Sequence, residues 1–236
     1  MFSNLHLPLQ FAHYDVSLTF EIIASLNEQT ERSITANTRR YQKIGPKSEE
    51  YEISAEDNLF HVVDYYMGLD SGSVDLEEMF TTYYPSVMRR SVFLTLYGML
   101  EHDFEKLCNG FTKVHNAPKA LSDLRGSGFE RCNHYARKFI DMPTSIHYAD
   151  VKRVTRLRNT CAHNDARFIG NDGQPIVAVE ELMRNHHKVF SRDGEQVNFK
   201  VGSLKAMTRI LKSYFNDVEK ALRNHKAPDP FIAFRK

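Results

Sequence analysis

Six large apolar residues, Val92, Leu96, Leu100, Phe104, Leu107 and Phe111, recur at steps of three or four through the middle of the chain. That spacing returns to one face of an α-helix at every turn, so it predicts a long helix with a single apolar stripe. Such a helix must bury its stripe against other helices, and the sequence supplies them. From Tyr14 to about Lys43, the residues Val16, Phe20, Ile23, Thr30 and Ile34 share one face, and Gly45-Pro46 stops the helix. Gly128 to Ile140 repeats the pattern through Phe129, Cys132, Tyr135, Ala136 and Phe139, closed by Pro143. Val151 to His163 carries Val151, Val154, Leu157 and Cys161, and a last helix is written in Leu204, Met207, Leu211, Phe215, Val218 and Leu222.

The connections are less regular. A shorter amphipathic helical segment is expected near Asn58 to Met67, then a loop at Asp70-Ser71-Gly72-Ser73. Asp75 can cap a small helix over Leu76 to Tyr83, and Pro85 suits the first turn of the next one. Between the fourth and last helices the texture changes. Arg167 to Val179 contains Asp172-Gly173, and Lys188 to Val201 contains Asp193-Gly194 flanked by Val189-Phe190 and by Val197, Phe199 and Val201. Asp-Gly between such runs is favoured hairpin chemistry, so a small antiparallel β appendage is expected there. The tail APDPFIAFRK is expected to be extended. The fold class is therefore all-α, or mainly α: a helical bundle with a small β-hairpin appendage before the last long helix. Residues 1–236 are expected to form one domain, with an N-terminal helical extension over about 1–70 and a β-hairpin insertion over about 167–202.

A chain of 236 residues with 42% apolar content can build one sizeable core. Its formal net charge of +1 means that any affinity for nucleic acid must come from local patches. Charge is unevenly spread: ten acidic side chains between Glu49 and Glu78, including Glu52, Asp64 and Asp75, contrast with Lys205, Arg209, Lys212, Lys220, Arg223 and Lys226 near the end. Solvated helix faces explain both groups, and an acidic partner-binding surface is the alternative for the first. Cys108, Cys132 and Cys161 form no CxxC pair, which argues against a disulfide framework and for a reduced, cytoplasmic setting. The first residues lack the pattern of an export signal, and the run Ser91 to Leu100 is too short to span a bilayer, so no membrane association is expected. Cys132-x-His134 and Cys161-x-His163 lack a second pair at zinc-site spacing, and no phosphate-loop, GxSxG or HExxH motif occurs. No metal or cofactor is predicted. His186-His187 reads as a surface loop, and Tyr65-Tyr66 and Tyr83-Tyr84 read as packing residues.

Chemistry concentrates in DVKRVTRLRNTCAHNDARF, where Lys152, Arg153, Arg156, Arg158 and Arg167 outnumber Asp150 and Asp165. An arginine followed five places later by a histidine is expected about once by chance in a chain of this composition, so context has to carry the inference. At about 100° per residue, Asn159 and His163 share a face with Arg156, whereas Arg158 is turned roughly 140° from His163. Convergence requires a helix that ends or bends near Cys161, a long arginine stem reaching around, or two copies of the helix meeting across a two-fold axis. The residue types suit RNA cleavage without a metal. A histidine moves protons near neutral pH, an arginine clamps phosphate oxygens, and an asparagine orients an imidazole or bonds a phosphate oxygen. The plainer alternative is a boundary histidine bonded to a backbone carbonyl, with Arg158 paired to a carboxylate. Arg90, Tyr97, Glu101 and Glu105 fall near one side of the long helix, so Glu101 is a candidate to orient Arg158 or His163, and Arg156 a candidate supporting cation.

RLRNTCAHND, on a helix that follows the long Arg90-to-Phe111 helix, resembles the signature of the HEPN superfamily: an arginine, a polar residue and a histidine four to six positions after the arginine. The matched motif covers six positions, and a compatible helical layout extends over most of residues 76–224. The resemblance implies a helical bundle, a homodimer and a metal-independent endoribonuclease acting by 2′-hydroxyl attack at a composite dimer-interface site, in a toxin or phage-defence role. It implies Arg158, Asn159 and His163 as site residues, RNA as substrate and a possible inhibitory or activating protein partner. Toxins of the superfamily that are silenced by adenylylation carry a tyrosine two places after the histidine. Here that place is Asp165, which puts that mode of control in doubt. A non-catalytic helical dimer that binds protein, nucleotide or RNA is the competing expectation.

Overall fold

The computed structural model describes residues 16–126 and 128–225. Helix α1 spans Ser17–Ile44 and buries Phe20, Ile23, Thr30, Ile34 and Tyr41. Its last amide, that of Gly45, bonds Tyr41 O at 2.7 Å, and the positive φ of 66° at Gly45 then turns the chain out of the helix. Strands β1 (Lys47–Ser54), β2 (Leu59–Tyr66) and β3 (Leu69–Asp70) follow as one antiparallel sheet.

The helix expected from Tyr14 to about Lys43 is present as Ser17–Ile44, whereas the sheet replaces the helix expected near Asn58 to Met67. The segment Leu59-Phe60-His61-Val62-Val63-Asp64-Tyr65-Tyr66 is rich in β-branched and aromatic residues, and its apolar positions fit two periods at once. Local turns decide between them. Asn58 adopts φ 50° at the end of the β1–β2 connection, and Met67-Gly68, at φ 48° and 85°, joins β2 to β3 through a two-residue primed turn. The hairpin stands away from the core, with Val63 its one buried apolar residue. Its base is fixed by Tyr66, whose ring lies 5.0 Å from Tyr41 and 4.7 Å from Phe80.

The helix Leu76–Glu78, capped by Asp75 through the Glu78 amide at 2.9 Å, passes through a π turn at Met79–Tyr83 into α2, Tyr84–His115. The two helices expected on either side of Pro85 are thus one continuous spiral. Proline lacks an N–H and its ring would strike the carbonyl four residues back; the wider π turn, with Tyr84 N–H bonded to Met79 O, relieves that clash. Downstream, Phe93, Leu96, Leu100, Phe104, Leu107 and Phe111 are at most 2% exposed and form the centre of the core. Each such burial stabilises the fold by about 1.5–3 kcal/mol.

A short 3₁₀ turn at Leu121–Asp123 leads to α3 (Gly128–Phe139) and α4 (Tyr148–His163). Phe129 of α3 packs 5.6 Å from Phe104 and 5.8 Å from Phe215 of the last helix, α6 (Ser203–Asn224). Between α4 and α6 lie α5 (Val177–Asn185) and the hairpin β4 (Phe190–Asp193) and β5 (Gln196–Phe199). The hairpin matches expectation: Asp193 pairs with Gln196 across Gly194-Glu195, and Gly194 takes φ 51°. Arg167 to Val179 does not. It contributes two isolated bridges, Arg167 to Gln196 and Ile169 to Pro175, and the chain from Val177 is helical, burying Val179, Leu182 and Met183. Val179, Leu182 and Met183 recur at helical spacing and pack this stretch on α4.

The described residues are mainly helical with two small antiparallel sheets. None of their helices is long and apolar enough to cross a membrane. The tail Ala227–Lys236 lies outside the described residues.

Candidate functional site

Helix α4 positions the motif. Val151, Val154, Leu157 and Thr160 form its buried stripe, which forces the intervening residues onto two flanks and an outer face. The helix runs unbroken to His163, and the Asn164 amide closes it on Thr160 O at 2.8 Å. A bend near Cys161, one of the three ways to bring Arg158 to His163, is therefore absent.

Arg158 lies on the flank facing α2. Its guanidinium carbon sits 5.4 Å from the centroid of the Tyr97 ring, and Nη2 is 3.5 Å from Glu101 Oε2. Nη1 donates to Asn159 Oδ1 at 3.1 Å. Tyr97 is fully buried, and its hydroxyl shares a hydrogen bond of 2.8 Å with Thr155. Burial pushes the Tyr97 phenol well above its ordinary pKa, so the ring remains a neutral platform for the cation. Glu101 reaches Arg158 from the long helix. Oε2 faces Arg158 while Oε1 accepts the Phe129 amide at 3.3 Å. Room for this comes from Gly128, where a Cβ would stand 1.9 Å from Glu101 Oε1 and where φ is +50°. With side chains 31% and 23% exposed, the Arg158–Glu101 pair contributes about 1 kcal/mol or less to stability. Its main effect is on orientation.

His163 stands apart. It is exposed in the last turn of α4 and has no hydrogen bond, ion pair or ring contact with the described residues. The carboxylate half of the plainer alternative is present in Glu101, and the backbone carbonyl for the histidine is not. Arg156 is likewise exposed and unpartnered among the described residues. The fold thus brings Arg158 and Glu101 together, with Asn159 bonded to Arg158 from the face of the helix that also carries His163 and Arg156.

Arg90 and Tyr97, which the sequence placed near one side of the long helix with Glu101, take supporting roles that the sequence did not assign. Arg90, 7% exposed, donates through Nη1 to Asp165 O at 2.9 Å and to Asp165 Oδ1 at 3.0 Å, while Gln196 donates to Asp165 Oδ2. These bonds hold the turn after His163, in which Asp165 and Ala166 take φ of 44° and 57°. Asp165 is a structural anchor of this turn. An arginine on the apolar side of a core helix was the available signal for Arg90, since burial of that charge demands a partner. Tyr97 offered a weaker signal, as an aromatic one turn before Glu101. Burial pushes the Cys161 thiol up to about 12, against the opposing charge of Arg90.

The remaining cations of the segment are mostly neutralised. Arg153 binds Asp150 at 2.8 Å and Glu181 at 2.7 Å, and Arg167 pairs with Glu195. A cleft of about 680 Å³ lies between the α3–α4 connection and the end of α6, lined by Asp141, Ser145, Asp217 and His225, and contains none of the motif residues. Comparison of the chain with protein-family models, curated proteins and solved structures finds no match.

Proposed function

We propose that this chain is a metal-independent endoribonuclease of the HEPN type, acting as a homodimer in a toxin or phage-defence setting where a partner protein restrains or triggers it. The supporting observation is the split motif: an oriented Arg158–Asn159 pair on one flank of α4 and an unpartnered, exposed His163 at its end. Cleavage by the 2′-hydroxyl forms the 2′-O–P bond and breaks the P–O5′ bond. One proton must leave the 2′-oxygen and one must reach the 5′-oxygen. Two copies of His163, contributed across a two-fold axis, supply a base and an acid, and Arg158 stabilises charge on the phosphoryl oxygens. Asn159 orients Arg158 through its side-chain oxygen.

The expected products end in 2′,3′-cyclic phosphate and 5′-hydroxyl, and form in EDTA. Incubating purified protein with single-stranded RNA in EDTA and identifying the fragment ends tests this. Fragments that carry 5′-phosphate, or cleavage unchanged in both Arg158→Ala and His163→Ala, contradict it. A second reading is favoured by one observation: Tyr51, Ile53, Phe60 and Val62 are 46–62% exposed on the acidic β1–β2 hairpin. A non-catalytic module that engages a partner through this hairpin would bind it regardless of substitutions at Arg158 and His163.

A further inference from the structure

Five cations lie in and around the motif between Lys152 and Arg167, and the fold sorts them into two classes. Arg153, Arg158 and Arg167 each face a carboxylate. Lys152 and Arg156 do not: both are exposed, Lys152 has only the Tyr148 ring 5.7 Å away, and Arg156 has no partner among the described residues. These two belong to one stripe. Lys152, Arg156, Asn159 and His163 are spaced i, i+4, i+7 and i+11, which confines them to about 60° of the helix surface. Along the axis Arg156 stands about 10 Å and Lys152 about 16 Å from His163.

The stripe also borders a cleft. Lys152 and Arg156 form one wall of a depression of about 460 Å³, closed on the other side by Gly170, Gln174, Pro175 and Val177. Asp172 lines it as well, with Oδ1 taken up by the Gln174 amide at 3.0 Å. A cation left without a carboxylate in a segment where its neighbours are paired is a ready phosphate ligand.

We propose that Lys152 and Arg156 form a phosphate-binding track for single-stranded RNA, holding backbone phosphates that flank the scissile one and leading the strand along α4 to His163. This rests on the ribonuclease reading and adds the path of the substrate. The track grips phosphates, so it sets register and affinity without reading bases. It holds the strand equally in the ground state and the transition state, so removing it raises KM and leaves kcat in place.

The test measures binding of a fluorescein-labelled, mixed-sequence single-stranded RNA to His163→Ala protein in EDTA over a series of salt concentrations. Adding Lys152→Ala and Arg156→Ala is expected to make the slope of log Kobs against log[salt] less steep by about 1.4, from about 0.7 for each phosphate that is no longer neutralised. The control removes the same charge from α6 with Lys205→Ala and Lys212→Ala, and is expected to leave the slope unchanged. An unchanged slope in the α4 variant, an equal change in the α6 control, or no RNA binding at the lowest salt overturns the track. With His163 restored, the α4 variant is expected to cleave with raised KM and unchanged kcat. If the wild type binds through the track but does not cleave, the nuclease reading fails and the track stands. If it cleaves but the slope ignores Lys152 and Arg156, the track fails alone.

Discussion

Arg158 and His163 are five positions apart on one unbroken helix, and the fold assigns them to different surfaces. Arg158 is held by three neighbours, Tyr97, Glu101 and Asn159, whereas His163 is held by none of the described residues. The orienting chain begins at Gly128, because only a residue without a Cβ leaves space for the Glu101 carboxylate. Gly128→Ala is therefore expected to displace Glu101 and to strain a backbone at φ +50°, costing about 1–2 kcal/mol in urea denaturation. Under the proposed chemistry it also lowers cleavage, since Arg158 loses its fixed partner. The helical wheel of the motif, which separates Arg158 from His163, was legible from residue numbers alone. The role of Gly128 was not. It depends on packing between helices distant in sequence, and a glycine at a helix start looks the same whether or not a carboxylate lies beside it.

At the scale of elements, the core helices followed from apolar period because their burial is one-sided and long. The segments that departed from expectation were short. Residues 47–66 and 177–185 carry patterns that satisfy strand and helix periods together, and turn geometry in the first case and the α4 surface in the second decided the outcome. One tertiary pin joins three elements. Arg89 of α2, its side chain 5% exposed, binds Glu31 of α1 through Nε at 2.9 Å and Nη2 at 2.8 Å, and donates through Nη1 to Phe199 O of β5 at 3.1 Å. Arg89→Ala leaves Glu31 and that carbonyl without their donor. A loss of about 3 kcal/mol in chemical denaturation is expected, the lower end for a broken buried pair because Glu31 is 26% exposed. A loss within about 0.5 kcal/mol, typical of surface substitutions, would show that the pin is dispensable.

The whole molecule should respond to pH in a definite direction. Burial, with neighbouring His225 second, holds the His115 imidazole below its ordinary pKa, and burial likewise lowers His186 against the opposing pull of Asp150. Below about pH 6.5 the unfolded chain then binds more protons at these positions than the folded one. Their contribution is present above that pH and is lost as the pH falls through the folded values. Thermal midpoints at pH 7.5 and 5.5 should differ, with the lower midpoint in acid, and the gap should narrow in His115→Gln. At the same scale, the proposed chemistry needs assembly: each chain carries an oriented arginine and an exposed histidine, and under that proposal two chains would supply the base and the acid of RNA cleavage. The decisive measurement is the rate at which wild type and His163→Ala cleave one single-stranded RNA in EDTA. A composite site predicts that the wild type cleaves and that the variant is slower by about a hundredfold or more. Equal rates, or no cleavage by the wild type, would contradict it.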